Sequence, residues 1–445
     1  MDTGPFTMHL LFLAPALLLL LGGPCPAAAA NLAGRSPAYA TLATDLGGGG
    51  GAGEAGRQAM RLIGYYDAKA QRELPLNKLQ HQGLTHIVVT NAVSVDNNGT
   101  IMYRAAEHTS ELPAQELIEN LAALPNVKLV VSLRGYPDDV ALDELAEVDS
   151  VRTRFTTDAA ISLRGWNASG LEIEWHSDDP VGGKAIAAPF DVMEQYHFAL
   201  LCRDLSSSLR AAGGKTLSVA VRPGRQEFAD GNFVRGYINW LTLRAYSMRS
   251  LGDPHHSSLK DMEQSLDELF SRGVPKSQLV LGTPLFARPG AALHSAGDRN
   301  EDLRQSWGEL ARSTALLQQK GSGTSVDQKG DRFRDAETGK VWWVSGINTT
   351  QAKVQHVLEH GYGGVALRDL HLDSSEPGLS LVQAAKGAAK EFQRRLAVQQ
   401  AQARKQRRPM AAVQAPALFQ RGSMLSKTDP TRAGIGGDGD KHDEF

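Results

Sequence analysis

The feature that most constrains the fold of this chain is a series of eight short apolar runs that alternate with segments of helical periodicity. The runs lie at residues 62–66, 86–90, 127–133, 171–175, 217–221, 237–243, 279–282 and 364–367. Strands that alternate with helices predict a parallel sheet, and eight such units in this length predict a closed (β/α)8 barrel of the α/β class. A doubly wound open sheet is the alternative, but no run is followed by a Gly-x-Gly-x-x-Gly phosphate loop.

Two segments between the runs have a distinct character. Residues 190–212 form the clearest helical pattern, with Val192, Tyr196, Leu200, Leu205 and Leu209 along one face and two glycines as a stop. The interval between the seventh and eighth runs is longer than a simple crossover needs. We therefore expect a small α+β insertion at about residues 289–340 of a barrel that spans residues 61–392.

The two ends of the chain lack this alternation. Residues 10–21 are an uninterrupted apolar run before an alanine-rich stretch, which predicts a signal peptide at residues 1–30 and a secreted protein. The run is shorter than the ~20 apolar residues of a membrane span, although no Lys or Arg precedes it, so a retained anchor or a misassigned start is the alternative. Residues 31–60 are read as a Gly/Ala-rich linker, and residues 393–445 as a basic and then disordered tail.

Composition excludes several classes of protein. The chain has 47 Lys and Arg against 49 Asp and Glu, so no global basic excess indicates a nucleic-acid partner. Only two cysteines occur, Cys25 within the predicted signal peptide and Cys202 within the long helical segment. A disulfide framework is therefore excluded, and Cys202 is expected in the core. Three sequons, at Asn98, Asn167 and Asn348, are candidate glycosylation sites.

The fourth strand carries the strongest functional signal. Glu172, Glu174 and His176 alternate with apolar residues, so with a period of two the ionisable side chains share one face. On an antiparallel surface strand that face would be solvated. In a parallel barrel it points into the interior, where titratable groups near the carboxyl end of a strand mark a site.

The segment at residues 169–176 (SGLEIEWH) resembles the Asp-Gly-x-Asp-x-Asp-x-Glu signature of glycoside hydrolase family 18, the chitinases and chitinase-like lectins. Residues 129–135 resemble the family's Ser-x-Gly-Gly strand, and residues 243–247 its Met-x-Tyr-Asp strand. Residues 62–66, 279–288 and 363–368 resemble its first, seventh and last strands. The six motifs occur in the family's order over about residues 61–392.

The resemblance implies a chemistry whose positions are altered here. Family 18 enzymes work by substrate assistance, in which the sugar's N-acetyl oxygen attacks and the motif Glu protonates the leaving oxygen. No catalytic position is intact, because the signature positions are occupied by Ser169, Glu172, Glu174 and His176. The remaining pocket positions are altered as well: the Met-x-Tyr-Asp motif contains Arg244, Tyr246 and Ser247, and the floor tryptophan is replaced by Arg368.

These replacements predict a secreted, catalytically inactive chitinase-like protein. Buried charges need partners, so we expect ion pairs of Glu172 and Glu174 with Arg244, Arg368 or His176. The ligand would be a chitin-type or other N-acetylglucosamine-containing glycan, or an extracellular protein. The positions that match sugar contacts of the family, with ordinary barrel packing as the competing interpretation, are Tyr65, Tyr136, Tyr246 and Arg288.

Two enzymatic alternatives remain open at the level of sequence. The carboxylates Glu172 and Glu174 would raise the pKa of His176 and let it act as the acid of a glycosidase. The same three residues would otherwise join further ligands in a metal-dependent hydrolase. His86 and His371 are isolated in the sequence, so the expectation is that the chain uses no metal and no cofactor.

Overall fold

The computed structural model describes residues 60–106, 108, 111–134, 142–175, 192–223, 229–246, 255–289, 304–319, 331–334 and 340–406. The predicted signal peptide, the linker up to residue 59 and the tail beyond residue 406 lie outside these residues. The predictions for His176, Tyr136 and Ser247 also fall outside them.

Eight parallel strands close into a barrel, as the alternating pattern predicted. They are paired in the order β1-β14-β9-β8-β7-β6-β5-β2 and back to β1. Their bounds are β1 Arg61–Asp67, β2 His86–Thr90, β5 Lys128–Arg134, β6 Gly170–Glu174, β7 Thr216–Val221, β8 Trp240–Arg244, β9 Leu279–Pro284 and β14 Gly364–Arg368. The remaining strands are β3 Val93–Val95, β4 Ile101–Tyr103, β10 Phe286–Pro289, β11 Gln305–Ser306, β12 Arg332–Arg334 and β13 Val341–Trp343.

The helices of the described residues lie between these strands, except the last one, which follows β14. They are α1 Ala114–Ala122, α2 Leu142–Glu147, α3 Asp149–Gly165, α4 Val192–Ala211, α5 Gly231–Tyr237, α6 Leu259–Ser271, α7 Trp307–Gln319, α8 Ile347–Glu359 and α9 Leu381–Gln406. In the described part of the chain, no helix is long and apolar enough to cross a membrane. The chain divides into two compact units, Met1–Gln393 with the barrel and Arg394–Phe445, of which residues up to 406 are described and helical.

One strand boundary and one residue of a predicted helix face differ from the sequence predictions. Tyr237 was assigned to the sixth strand, but it ends α5, whose N-terminus is capped by the Asp230 carboxylate, and the strand begins at Trp240. On α4, Leu200, Leu205 and Leu209 are buried as predicted, whereas Val192 is exposed. Phe198 and the free thiol of Cys202 are buried on the same helix, which confirms the expected core position of Cys202.

The seventh and eighth barrel strands are separated by the predicted α+β insertion. A four-stranded antiparallel sheet in the order β11-β10-β13-β12 accompanies α7 there. After the insertion, the buried Lys353 of α8 donates Nζ to the Ser257 carbonyl and to the Ser345 hydroxyl, each at 2.8 Å. These bonds satisfy a buried cation with fixed oxygen atoms.

The barrel interior is layered along its axis. Its lower part is an apolar cluster separate from the core between strands and helices, formed by Ile63, Tyr65, Val88, Val130, Trp240, Val280 and Ala366. Towards the carboxyl ends of the strands, the inward positions become polar, with Glu172 and Glu174 on β6. The alternation in β6 therefore places its apolar residues against the helices and its carboxylates inside the barrel, as predicted.

Gly170 lies where β6 and β7 approach too closely for a side chain. A Cβ at this position would lie 2.0 Å from Thr216 Oγ1 and 2.6 Å from the Thr216 carbonyl oxygen. We expect Gly170→Ala to lower the free energy of unfolding by about 1–3 kcal/mol, the usual range for overpacking. Gly165→Ala is the control, since a Cβ there meets nothing within 4 Å. Urea unfolding measures both, and equal stabilities would contradict the prediction.

Candidate functional site

The site is centred on two carboxylates of β6, Glu172 and Glu174, which are both 0% exposed. Register brings neighbouring strands to them: Ser132 and Arg134 of β5 pair with Glu172 and Glu174, and Ser218 of β7 pairs with Glu172 on the other side. The two carboxylates lie on one face of the strand because they are two residues apart. Their surroundings nevertheless differ.

The Glu172 carboxylate is held by hydroxyl groups. The Tyr65 hydroxyl donates to both of its oxygens at 2.9 Å. Longer bonds of 3.4–3.5 Å come from the hydroxyls of Ser132, Ser218 and Thr242. Burial, followed by the nearby Glu174 charge, raises the pKa of Glu172 to about 7. This carboxyl group can therefore hold a proton near neutral pH.

The Glu174 carboxylate is held by guanidinium groups. Arg244 of β8 donates Nη1 to Glu174 Oε1. Arg368 of β14 donates Nη1 to Oε2 at 2.9 Å and Nη2 to Oε1 at 3.4 Å, which is a bidentate pair. Arg134 Nε lies 3.4 Å from Oε1. One carboxylate at the carboxyl end of the barrel thus joins three other strands through charge.

Arg368 also covers an aromatic ring of the site. Its Cζ lies 5.0 Å from the centroid of the Tyr65 ring, in cation–π geometry. Its Nε lies 3.3 Å from the carboxylate of Asp369. Tyr65 is consequently buried, with its hydroxyl on Glu172 and its ring beneath a guanidinium. Neither its hydroxyl nor this ring face is open to a ligand.

The sequence model of "Glycosyl hydrolases family 18" matches residues 61–373, more than half of the chain. The chain belongs to glycosyl hydrolase family 18. The resemblance proposed from the strand motifs is thereby confirmed.

Relatives within family 18 are distant. Endochitinase 1 of Metarhizium robertsii is 20% identical over 278 residues, covering 57% of this chain and 63% of the relative. Mouse chitotriosidase-1 is 22% identical over 330 residues, covering 65% and 67%. The matched part is 28% of Chitinase A1 of Niallia circulans, so the chain spans less than two thirds of the length of several relatives.

Solved structures of family 18 share the fold. Catalytic domain 2 of the Ostrinia furnacalis Group II chitinase superposes with a TM-score of 0.61 at 16% identity, covering 75% of this chain and 97% of that domain. YKL-39, solved in the presence of chitooligosaccharides, gives a TM-score of 0.56 at 17% identity, covering 74% and 99%. At such identities the likeness establishes the fold alone.

The structure brings five of the predicted family 18 positions together in the barrel mouth. These are Glu172, Glu174, Arg244, Arg368 and Tyr65. Ser169 lies at the start of β6, where its carbonyl oxygen accepts from the Thr216 backbone. The expected pairing of a β6 carboxylate with Arg244 and Arg368 is present at Glu174, whereas Glu172 bonds to hydroxyl groups.

Two other candidate positions, Tyr246 and Arg288, lie around Phe286. Tyr246 is buried, with its ring centroid 5.8 Å from that of Phe286. Arg288 is half-buried on β10, and its guanidinium lies 5.7 Å from the Phe286 ring. The sequon asparagines at positions 98, 167 and 348 are all exposed.

Sequence reasoning missed Arg134 as a member of the ion-pair cluster. It occupies the first Gly of the family's Ser-x-Gly-Gly motif, so the arrival of a long cation at that position was the available signal. The hydroxyls of Ser218 and Thr242 were also missed, because a hydroxyl on an apolar strand indicates no particular partner. Among the side chains that the structure describes, no group of three or more His, Cys, Asp or Glu is arranged to hold a metal ion.

Removing the charge of Glu174 tests the ion-pair cluster. Glu174→Gln keeps the shape but removes the charge that Arg244 and Arg368 share, and we expect a loss of about 3–5 kcal/mol in the free energy of unfolding. Glu268→Gln is the matched control, because its pair with Arg272 is exposed and is worth about 0–1 kcal/mol. Chemical denaturation measures both, and similar small losses would contradict a central role for Glu174.

The raised pKa of Glu172 makes a prediction about pH. Because native Glu172 binds its proton more tightly than the unfolded chain does, its contribution to stability is complete below pH 4.5 and is lost as pH rises to about 7. Relative to Glu172→Gln, the native protein should lose about 1.4 kcal/mol per pH unit in this window. Denaturation midpoints at several pH values measure the difference, and parallel pH profiles would contradict it.

Proposed function

We propose that this chain is a secreted, non-hydrolytic chitinase-like protein that binds a glycan containing N-acetylglucosamine at the rim of its barrel. The observation that carries the proposal is the position of Arg368, which pairs with Glu174 and covers the Tyr65 ring. In the family, the resemblance places a tryptophan floor for the sugar at this position. Arg368, which is paired with Glu174 of β6, replaces the surface on which a sugar ring would stack.

The loss of catalysis follows from several replacements acting together. Hydrolysis by substrate assistance requires a general acid within reach of the glycosidic oxygen, and such an acid contributes about 10²–10⁴-fold. His176 has a shorter reach than the glutamate of the family motif. Glu172 has a pKa near 7 but accepts hydrogen bonds from Tyr65 deep in the interior, so it is remote from an entering sugar. Catalysis depends on binding the transition state, and among the described residues the face of Tyr65 beneath Arg368 is not available for it.

A hollow beside the mouth, which we call the rim pocket, is suited to a sugar ring. It has a volume of about 310 Å³ and lies where the chain leaves β1 and β2. Its lining includes Lys69, Gln71, Asn91, Ser94, Tyr103 and Arg104. These side chains offer an aromatic face and several hydrogen-bonding groups, the combination that fixes a polar ligand in a concave site.

The rim pocket has a rigid frame. Asn91, with φ of 59°, donates Nδ2 to Asp67 Oδ1 at 2.8 Å, which joins the loops after β1 and β2. Gln71 makes two bonds to the backbone of Leu112, at 3.1 and 3.0 Å. Tyr103 remains 43% exposed at the edge. A pre-formed site of this kind reduces the entropy lost when a ligand binds.

Secretion and glycosylation are part of the same proposal. The apolar run at residues 10–21 supports a signal peptide. Exposure of the three sequon asparagines supports their modification along that route. A protein with a closed mouth and exposed glycan attachment sites would act by binding outside the cell.

Two measurements on the full chain test this function. We expect no turnover of a chromogenic chitobioside, and turnover that disappears in His176→Ala would establish the hydrolase alternative. Titration calorimetry with chitohexaose should give binding that Tyr103→Ala weakens about tenfold, equivalent to about 1.4 kcal/mol. Met102→Ala is the control, because Met102 is a neighbouring exposed residue that does not line the rim pocket. No heat at millimolar sugar would overturn the glycan proposal in favour of a protein ligand.

A further inference from the structure

Two histidines lie one turn apart at the carboxyl end of α8. His356 belongs to its last turn, and His360 is the residue that caps it. Their ring centroids are 4.1 Å apart with an angle of 27° between the planes. Spacing of four residues places both imidazoles on the same face of the helix.

Hydrogen bonds determine which ring nitrogen carries the proton in each histidine. His360 Nδ1 lies 2.8 Å from the His356 carbonyl oxygen, which only accepts, so this nitrogen must be the donor. His356 Nδ1 lies 3.1 Å from Glu263 Oε1, and an ionised carboxylate also only accepts. A neutral imidazole has a single N–H group. Both rings therefore keep the lone pair of Nε2 for another ligand.

This pattern is the one that metal-binding histidines use. Such a histidine donates its second ring N–H to a carboxylate or a backbone carbonyl, which fixes the tautomer and raises the basicity of the coordinating nitrogen. Here one histidine of the pair has the carboxylate and the other has the carbonyl. In both rings Nδ1 donates to an oxygen acceptor, so in both rings Nε2 is the nitrogen with the lone pair.

The surroundings permit access and favour a cation. His360 is exposed, and the His356 side chain is 17% exposed. The carboxyl end of a helix carries partial negative charge, and Glu263 and Asp267 add carboxylates on the adjacent α6. Lys276, whose charge also acts at His356, lies with its Nζ 5.0 Å from the Tyr362 ring.

We infer that His356 and His360 form a two-histidine site for a divalent transition-metal ion of the class that imidazole prefers, zinc or copper. The two Nε2 atoms supply the protein ligands, and water fills the remaining positions. The site lies just before β14 begins at Gly364, whereas Arg368 ends that strand at the opposite side of the barrel. It is therefore separate from the mouth and from the rim pocket, and it does not depend on the proposed function.

Zinc titration of the full chain, prepared without a histidine tag, tests this inference. We expect His356→Ala and His360→Ala each to remove one zinc ion per chain or to weaken its binding at least about tenfold. Glu263→Ala should weaken the same binding by about tenfold, since it removes the group that orients His356. His81→Ala, which removes a histidine elsewhere in the barrel unit, should leave binding unchanged.

A spectroscopic readout distinguishes coordination from a structural effect. Copper bound to the native chain should show two imidazole nitrogens by pulsed electron paramagnetic resonance, and only one in His360→Ala. Thermal unfolding with a chelator present checks that the variants are folded. Zinc affinity and copper spectra identical in the native chain and both histidine variants would overturn the inference, as would the absence of any zinc binding.

Discussion

The interaction on which the barrel mouth depends is the burial of a single carboxylate, that of Glu174, among arginines from three other strands. A charge at 0% exposure is tolerated only when its partners compensate for lost hydration. Arg368 supplies a bidentate pair and Arg244 a further bond. Because β14 lies across the barrel from β6 and β8 lies two strands along, these ion pairs join strands that are not neighbours of β6.

The state of Glu172 follows from that arrangement. With the guanidinium groups engaged at Glu174, the second carboxylate is held by neutral donors, chiefly the Tyr65 hydroxyl. Burial next to a like charge then favours its protonated form. Along the axis of the barrel, the apolar cluster is followed by the hydrogen-bonded Glu172 and then by the ion pairs of Glu174 near the carboxyl ends of the strands.

The barrel was predictable from the sequence because eight apolar runs alternate with segments of helical periodicity. The alternation in β6 placed Glu172 and Glu174 inside the barrel. Because buried carboxylates need compensating charges, Arg244 and Arg368 were expected near them. The sequence could not predict that the arginines pair with Glu174 rather than with Glu172, because this depends on how far each side chain reaches across the mouth. Arg134 was missed for the same reason, although its replacement of a motif glycine was visible.

Lys353 shows a second limit of sequence reasoning. A lysine on a helix normally extends into water, yet this one is fully buried and bonds to Ser257 and Ser345. Burial lowers its pKa to about 7. Ser257 is 96 residues away in the chain, and only the closed topology brings the two together. Helical periodicity predicts which residues share a face, but it does not predict which residues from a distant loop pack against that face.

The ion pairs of Glu174 also bear on where this fold could bind a ligand. In a parallel barrel the loops after the strands are the natural binding surface, and the ion pairs of Glu174 occupy the part of it nearest the axis. The loops after β1 and β2 escape this constraint because Asp67 and Asn91 bond to each other rather than to the arginines. A ligand in the rim pocket would therefore leave the buried charges undisturbed. In the proposed binding role, recognition by the rim pocket and stabilisation by the buried charges would therefore rest on different residues at the same end of the barrel.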